Sequence, residues 1–191
     1  GFGATPLTKY RRHVLMLHPH TVIVYDELEA SEAVRWEWLL HSPTEFKIDA
    51  VKKTLSTDNK TKGWVAVTQL FGGHVFTLSQ TDRFVVPPAI TGAEYPNQWH
   101  LTARVDGCSA TRFLAIIQVG DEAVSIVNRD GDTFNVGDWT IKAVLDASKA
   151  PELTVSHRTE QAVFSYGTDN PALNGNFYSR QYTGSSLLYD E

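Results

Sequence analysis

This sequence predicts an all-β, antiparallel fold, read as a two-sheet β-sandwich with negligible helix. Three observations point there. Apolar and polar residues alternate with period 2 over much of the chain. β-Branched and aromatic residues gather in short runs. Those runs are separated by Gly-, Pro- or Asp-containing turns, at the ~8–12-residue spacing of sandwiches and barrels. No segment sustains a helical period, and Asp146–Ala150 has room for one helical turn.

His13–Leu17 (HVLML) and Thr21–Leu28 (TVIVYDEL) flank His18-Pro19-His20 and predict a hairpin with a proline-containing turn. Val34–His41 (VRWEWLLH) sets Val34, Trp36 and Trp38 on one face and Arg35 and Glu37 on the other, as a half-buried strand does. Glu45–Val51 alternates in the same way, and Ser56–Lys62 (STDNKTK) reads as a polar turn. Trp64–Phe71 and His74–Ser79 flank Gly72-Gly73, the strongest hairpin signal in the chain. Thr81–Pro96, with Pro87, Pro88, Gly92 and Pro96, predicts a long ordered loop of the kind that often carries function. Trp99–Val105, a turn at Asp106-Gly107, Arg112–Val119, Glu122–Asn128 and Thr133–Val136 follow, the last two joined by the RDGD turn at Arg129–Asp132. Trp139–Leu145, Glu152–Ser156 and Gln161–Tyr166 complete the set.

The chain has 191 residues, enough for one domain or two small ones with a real core. We read a single sandwich domain over 1–166 and a Gly/Ser/Tyr-rich strap or tail over 167–191. Hydrophobic residues at 42% and charged residues at 20% place it among globular chains rather than disordered ones. A net charge of −5 with no basic stripe argues against a nucleic-acid partner. No apolar run reaches the ~18–20 residues of a membrane helix, so no membrane partner is expected. The single cysteine, Cys108, excludes an intrachain disulfide or a thiolate metal cluster. The start, GFGATPLTKY, has no Met and no signal-peptide pattern, and suggests a piece of something longer.

His18-Pro19-His20 has the HxH spacing that puts two imidazoles on one strand face, with Asp26 and His41 as further ligands of a zinc type. Pro19 breaks the strand that such a site needs, so the segment reads as a turn and no metal site is assigned. Arg11-Arg12-His13 offers guanidinium forks for carboxylate or sulfate, but reads first as a solvated edge strand. Trp36 and Trp38 read as core. RDGD lacks the remaining ligands of a calcium loop and reads as a tight turn. Cys108 reads as a small hydrophobe, and Asn59-Lys60-Thr61 fits a glycosylation sequon of the kind that occurs by chance. No nucleophile–base pair stands out, so no catalytic residue is assigned. Trp99 with Tyr95, Asn97, Gln98 and Arg83 forms a candidate sugar platform, an aromatic face flanked by amides. Trp99 equally fits a plug at the start of a core strand.

The string from Lys9 to Ser42, KYRRHVLMLHPHTVIVYDELEASEAVRWEWLLHS, resembles the β-domain of heparinase II/III-like polysaccharide lyases, with an Arg-rich strand, a "VVxD"-type strand at Val22–Asp26 and an aromatic strand closing on Leu39–Ser42. Thr81–Ala103, with PNQWHLTA, looks like its continuation. The resemblance is clear over about the first 45 residues, weaker to about residue 105 and uninformative beyond. It implies an N-terminal α/α-toroid and a C-terminal region of stacked antiparallel sheets, to which this chain would belong. It also implies bacterial enzymes, periplasmic or secreted, that cleave uronic-acid polysaccharides such as glycosaminoglycans or alginate by β-elimination. The family's catalytic His and metal ligands, an HxH-type motif followed by an Asp, should lie well upstream of the VIVYD strand. His18-Pro19-His20 sits immediately before it, so the resemblance puts those groups ahead of Gly1 and the chain alone is expected to be inactive, without a cofactor of its own.

Three functions follow as expectations. The first is a non-catalytic C-terminal β-domain that packs on the toroid of the same polypeptide and touches acidic polysaccharide. The second is a stand-alone carbohydrate-binding module. The third is a purely structural or interaction domain.

Overall fold

In the computed structural model, residues 6–49, 51, 54–59, 63–83, 97–120, 125, 127–159, 163–167, 171–174 and 176–177 are described. They contain strands and turns and no helix, and every strand pair is antiparallel, as the alternation predicts. The chain divides into two compact units: Gly1–Ser125 with Leu145–Ala147, and Ile126–Val144 with Ser148–Glu191.

The first unit holds one sheet. Its strands are β1 (Leu7–Leu17), β2 (Thr21–Ser42), β3 (Lys47–Asp49), β4 (Thr54–Asn59), β5 (Trp64–Gly72), β6 (Thr77–Thr81) and β7 (Trp99–Gly120). The order is β1-β2-β7-β5-β4-β3, with β6 on β7. Sequence reading divided β2 and β7 into two strands each. Both run unbroken for 22 residues, because the polar interruptions sit in bulges rather than turns. Glu29 faces Ala110 and Val34 faces Cys108, so five steps of β2 oppose two of β7. Trp36 then faces Val105, so two steps of β2 oppose three of β7. The second mismatch contains Gly107, whose φ of 72° suits a residue without Cβ. Extra residues of this kind bend and twist a strand pair.

The bend lets one face of the sheet close on itself. Leu28, Trp36 and Trp38 of β2 share a single buried cluster with Phe46, Leu55, Leu70 and Leu101, Ala103, Val105, Phe113 and Ala115 of β7. Residues from both halves of the long strands meet in it. Each fully buried Leu or Phe of such a cluster contributes roughly 1.5–3 kcal/mol.

Two expectations are corrected here. Gly72-Gly73 is not a hairpin turn. β5 pairs with Phe113–Gly120 and β6 with His100–Arg104, so both lie along β7 and not on each other. The link between them crosses the bend, held where Gly73 N–H donates to the Arg112 carbonyl at 3.0 Å. Ser56–Asn59, read as part of a polar turn, belongs to β4. Its Thr57 faces inward, where only every second residue has to be apolar or small.

The second unit is a meander in chain order: β8 (Asn128–Asp130), β9 (Thr133–Val136), β10 (Trp139–Ala143), β11 (Leu153–His157), β12 (Val163–Tyr166), β13 (Ala172–Leu173) and β14 (Asn176–Phe177). Phe134, Ile141, Ala143, Leu153 and Val155 form its buried face. RDGD is the predicted tight turn, with Gly131 at φ 58°. The predicted strands at 139–145, 152–156 and 161–166 match β10, β11 and β12 within a few residues. Most of Glu122–Asn128 and of 167–191 lies outside the described residues, although β13 and β14 fall within the segment read as a tail.

Candidate functional site

The far ends of β2, β7 and β6 come together by register. Ser42 faces Trp99, and His41 faces His100, which in turn faces Thr81. The two imidazoles stack with centroids 4.4 Å apart and planes 17° from parallel. Just beyond β6, Arg83 N–H donates to Thr81 Oγ1 at 3.1 Å. Asn97 and Gln98, both exposed, lead into Trp99. Four of the five residues of the predicted sugar platform, Arg83, Asn97, Gln98 and Trp99, thus gather at one end of the unit. Tyr95, the fifth, lies outside the described residues, as does 84–96 of the predicted loop. Trp99 itself is half-buried and packs against the core cluster.

Inside the curl behind this end is an open hollow of about 190 Å³. One wall is Leu40–Pro43 with Phe46. The other is Leu55, Thr57, Ala66, Thr68 and Ile117 of β4, β5 and β7. A side-chain amide braces the backbone of Phe46, one of its lining residues. Gln80 accepts from Phe46 N–H and donates to the Phe46 carbonyl, both at 3.0 Å, much as a neighbouring strand would. Ser42 Oγ accepts from Thr44 N–H at 3.1 Å, and Thr44 Oγ1 donates to the Asp58 carbonyl at 3.2 Å. Sequence reading missed this hollow. Its signal was the inward set Leu55 and Thr57, hidden in a stretch that looked like a turn.

The sheet also holds two ionic groups at β1, its edge strand. Asp26 is 1% exposed. It accepts from Arg12 Nε at 2.6 Å, from Arg12 Nη2 at 2.8 Å and from the Trp38 indole N–H at 3.1 Å. The hydrogen bond to Asp26 raises the Arg12 pKa further. Arg12, exposed on the edge strand as the sequence predicts, is therefore also the partner of a buried carboxylate. Glu27, also 1% exposed, takes Lys9 Nζ on Oε2 at 2.8 Å. Its Oε1 has no hydrogen-bond partner among the described residues and lies 4.0 Å from His13 Nε2. Burial holds His13 down to about 4, against the pull of Glu27. Partial burial lowers the Lys9 pKa, but the bonds to Glu27 and Glu29 outweigh it and the net shift is upward.

Other sequence readings find their places. His18-Pro19-His20 is the exposed turn between β1 and β2, away from His41 at the other end of β2. Among the described residues no group of three or more His, Cys, Asp or Glu side chains is placed to hold a metal ion. Trp36 and Trp38 are core, 8% and 5% exposed. Cys108 is free and half-buried, its thiol pushed up by burial, while its carbonyl accepts from the Trp36 indole at 3.0 Å. Asn59 ends β4, and the rest of its sequon lies outside the described residues.

No protein-family model matches the chain, and no curated protein sequence does. Among solved structures it is similar to a heparinase III gene product determined with methylated lysines. The TM-score is 0.56 and the identity 15%, over 86% of this chain. The fold is heparinase-like. The chain spans 24% of that protein's length. At this identity the likeness concerns the fold.

Proposed function

We propose that the chain is the non-catalytic C-terminal β-domain of a heparinase II/III-like polysaccharide lyase of a bacterium, acting in the periplasm or outside the cell. The observation that carries this reading is the heparinase-like fold over 86% of the chain, joined to a span of only 24% of the heparinase III. The KYRRHVLML…LLHS string is the second support. In this reading an α/α-toroid of the same polypeptide supplies most of the acid–base groups, and upstream residues supply the catalytic His and any metal. The β-domain forms one wall of the cleft and touches the polysaccharide at the Arg83, Asn97, Gln98 and Trp99 end. With a net charge of −5 the contact to a polyanion has to be local, through a guanidinium such as that of exposed Arg83.

The test is to incubate the purified chain with heparin, heparan sulfate and alginate while following the absorbance of unsaturated uronate. No rise is expected from the chain alone, and a rise would overturn the non-catalytic reading. Calorimetric titration with uronic-acid oligosaccharides at low salt, where charged contacts are least screened, tests the contact. Heat that disappears in Arg83→Ala supports it. Tight binding that survives Arg83→Ala and is lost in Trp99→Ala with folding unchanged favours a stand-alone binding module.

A further inference from the structure

We propose that the hollow within the curled first sheet binds a single neutral pyranose ring. Its size sets the first limit. An apolar cavity of about 150 Å³ accommodates benzene, so about 190 Å³ has room for one six-membered ring with small substituents. Its walls set the second. Leu40, Phe46, Leu55 and Ile117 present apolar surface, while Ser42, Thr57 and Thr68 bring hydroxyl groups. A pyranose has this same division, with C–H groups on its faces and hydroxyls around its rim. Charge sets the third. No Asp, Glu, Lys or Arg lines the hollow. His41 is the one titratable side chain on its wall, stacked on His100, so a carboxylate or sulfate seated against the apolar walls would give up part of its hydration with no permanent cation in return. Ring substituents that are neutral avoid that cost. The hollow and the Arg83 end are therefore suited to different parts of a sugar chain: a neutral ring inside and acidic groups outside. The site goes beyond the lyase reading, since binding of a neutral monosaccharide requires neither a toroid nor a uronate.

The experiment is nitrogen–proton NMR titration of the whole chain with methyl glucopyranoside, glucuronic acid and toluene. Methyl glucopyranoside should shift the amide signals of Ser42, Thr57 and Thr68, and glucuronic acid should bind at least about tenfold more weakly. Ala66→Leu fills the hollow and should weaken glycoside binding at least about tenfold. Thr68→Val keeps the shape, removes one hydroxyl, and should weaken it about fivefold; it serves also if Ala66→Leu fails to fold. The proposal is overturned if the glycoside moves none of these signals, if glucuronic acid binds as well or better, if toluene alone enters, or if both variants bind like the parent. Failure here leaves the lyase reading standing, because that reading is decided by the uronate assays.

Discussion

Replacing Asp26 by alanine removes the group on which three hydrogen bonds of the first sheet converge, two from Arg12 and one from Trp38. Two costs follow. The Trp38 side chain is 5% exposed, and its indole N–H is left in an apolar cluster without an acceptor, at about 1–3 kcal/mol. Removing one member of a buried ion pair costs about 3–5 kcal/mol in full, but Arg12 is 41% exposed and can turn to water, so that figure falls to its low end or below. Together we expect Asp26→Ala to cost about 3–4 kcal/mol. Trp38→Phe, which keeps one six-membered ring but loses the hydrogen bond and leaves a small gap, should cost about 1–3 kcal/mol. The double change Arg12→Met with Asp26→Leu should recover the ion-pair part of the loss, since an apolar pair needs no counter-charge, and leave the cost of the unpaired Trp38 indole N–H at about 1–3 kcal/mol. Urea unfolding followed by far-UV dichroism gives each value, with unchanged m-values as the control that the denatured state is the same. A cost below about 1 kcal/mol for Asp26→Ala would refute the assignment of Asp26 as the anchor of Trp38 in this sheet.

Three further outcomes are expected. The folded pKa of His13 is depressed to about 4 from an ordinary 6.5, so as pH falls the unfolded chain takes up the proton first; stability present above pH 6.5 should decline through pH 4 by up to about 3 kcal/mol, and a parent-minus-His13→Gln difference that stays flat over that window would contradict it. Gly73→Ala should lower stability by about 2–4 kcal/mol, because the new Cβ collides with the Leu145 carbonyl, which is backbone and cannot swing aside; an unchanged melting temperature would show that this close approach does not exist. Trp99→Ala should cost about 2 kcal/mol, less than a fully buried Trp, because the ring is half-buried against the core cluster; a shift in thermal unfolding of a few tenths would place the ring outside the core.

The class of fold was legible because period 2 is a local property. Trp36 and Trp38 alternate with charged neighbours, and that pattern settles which face is buried wherever the strand is placed. The turns at HPH and RDGD were legible for the same reason: proline and glycine restrict or free the backbone at their own positions. The gathering of Arg83, Asn97, Gln98 and Trp99 was partly legible, since all four flank one predicted loop.

What the sequence by itself determined is therefore the all-β character and the inward and outward sets of the strands it marked by alternation, such as Trp36 and Trp38 against Arg35 and Glu37. Only tertiary structure decided that β2 and β7 bend through bulges instead of ending, that Gly72-Gly73 crosses the bend instead of closing a hairpin, and that Leu40–Pro43 meets Thr57 and Thr68 around a hollow. Arg12 finding Asp26, and Trp38 finding the same carboxylate, belong with these. The reason is physical. Alternation fixes where a side chain points relative to its own strand, whereas a bend, a cavity or a buried ion pair depends on which residues lie across from it. Those partners are chosen by register between strands distant in sequence, with bulge residues that look like turns until the opposite strand is seen.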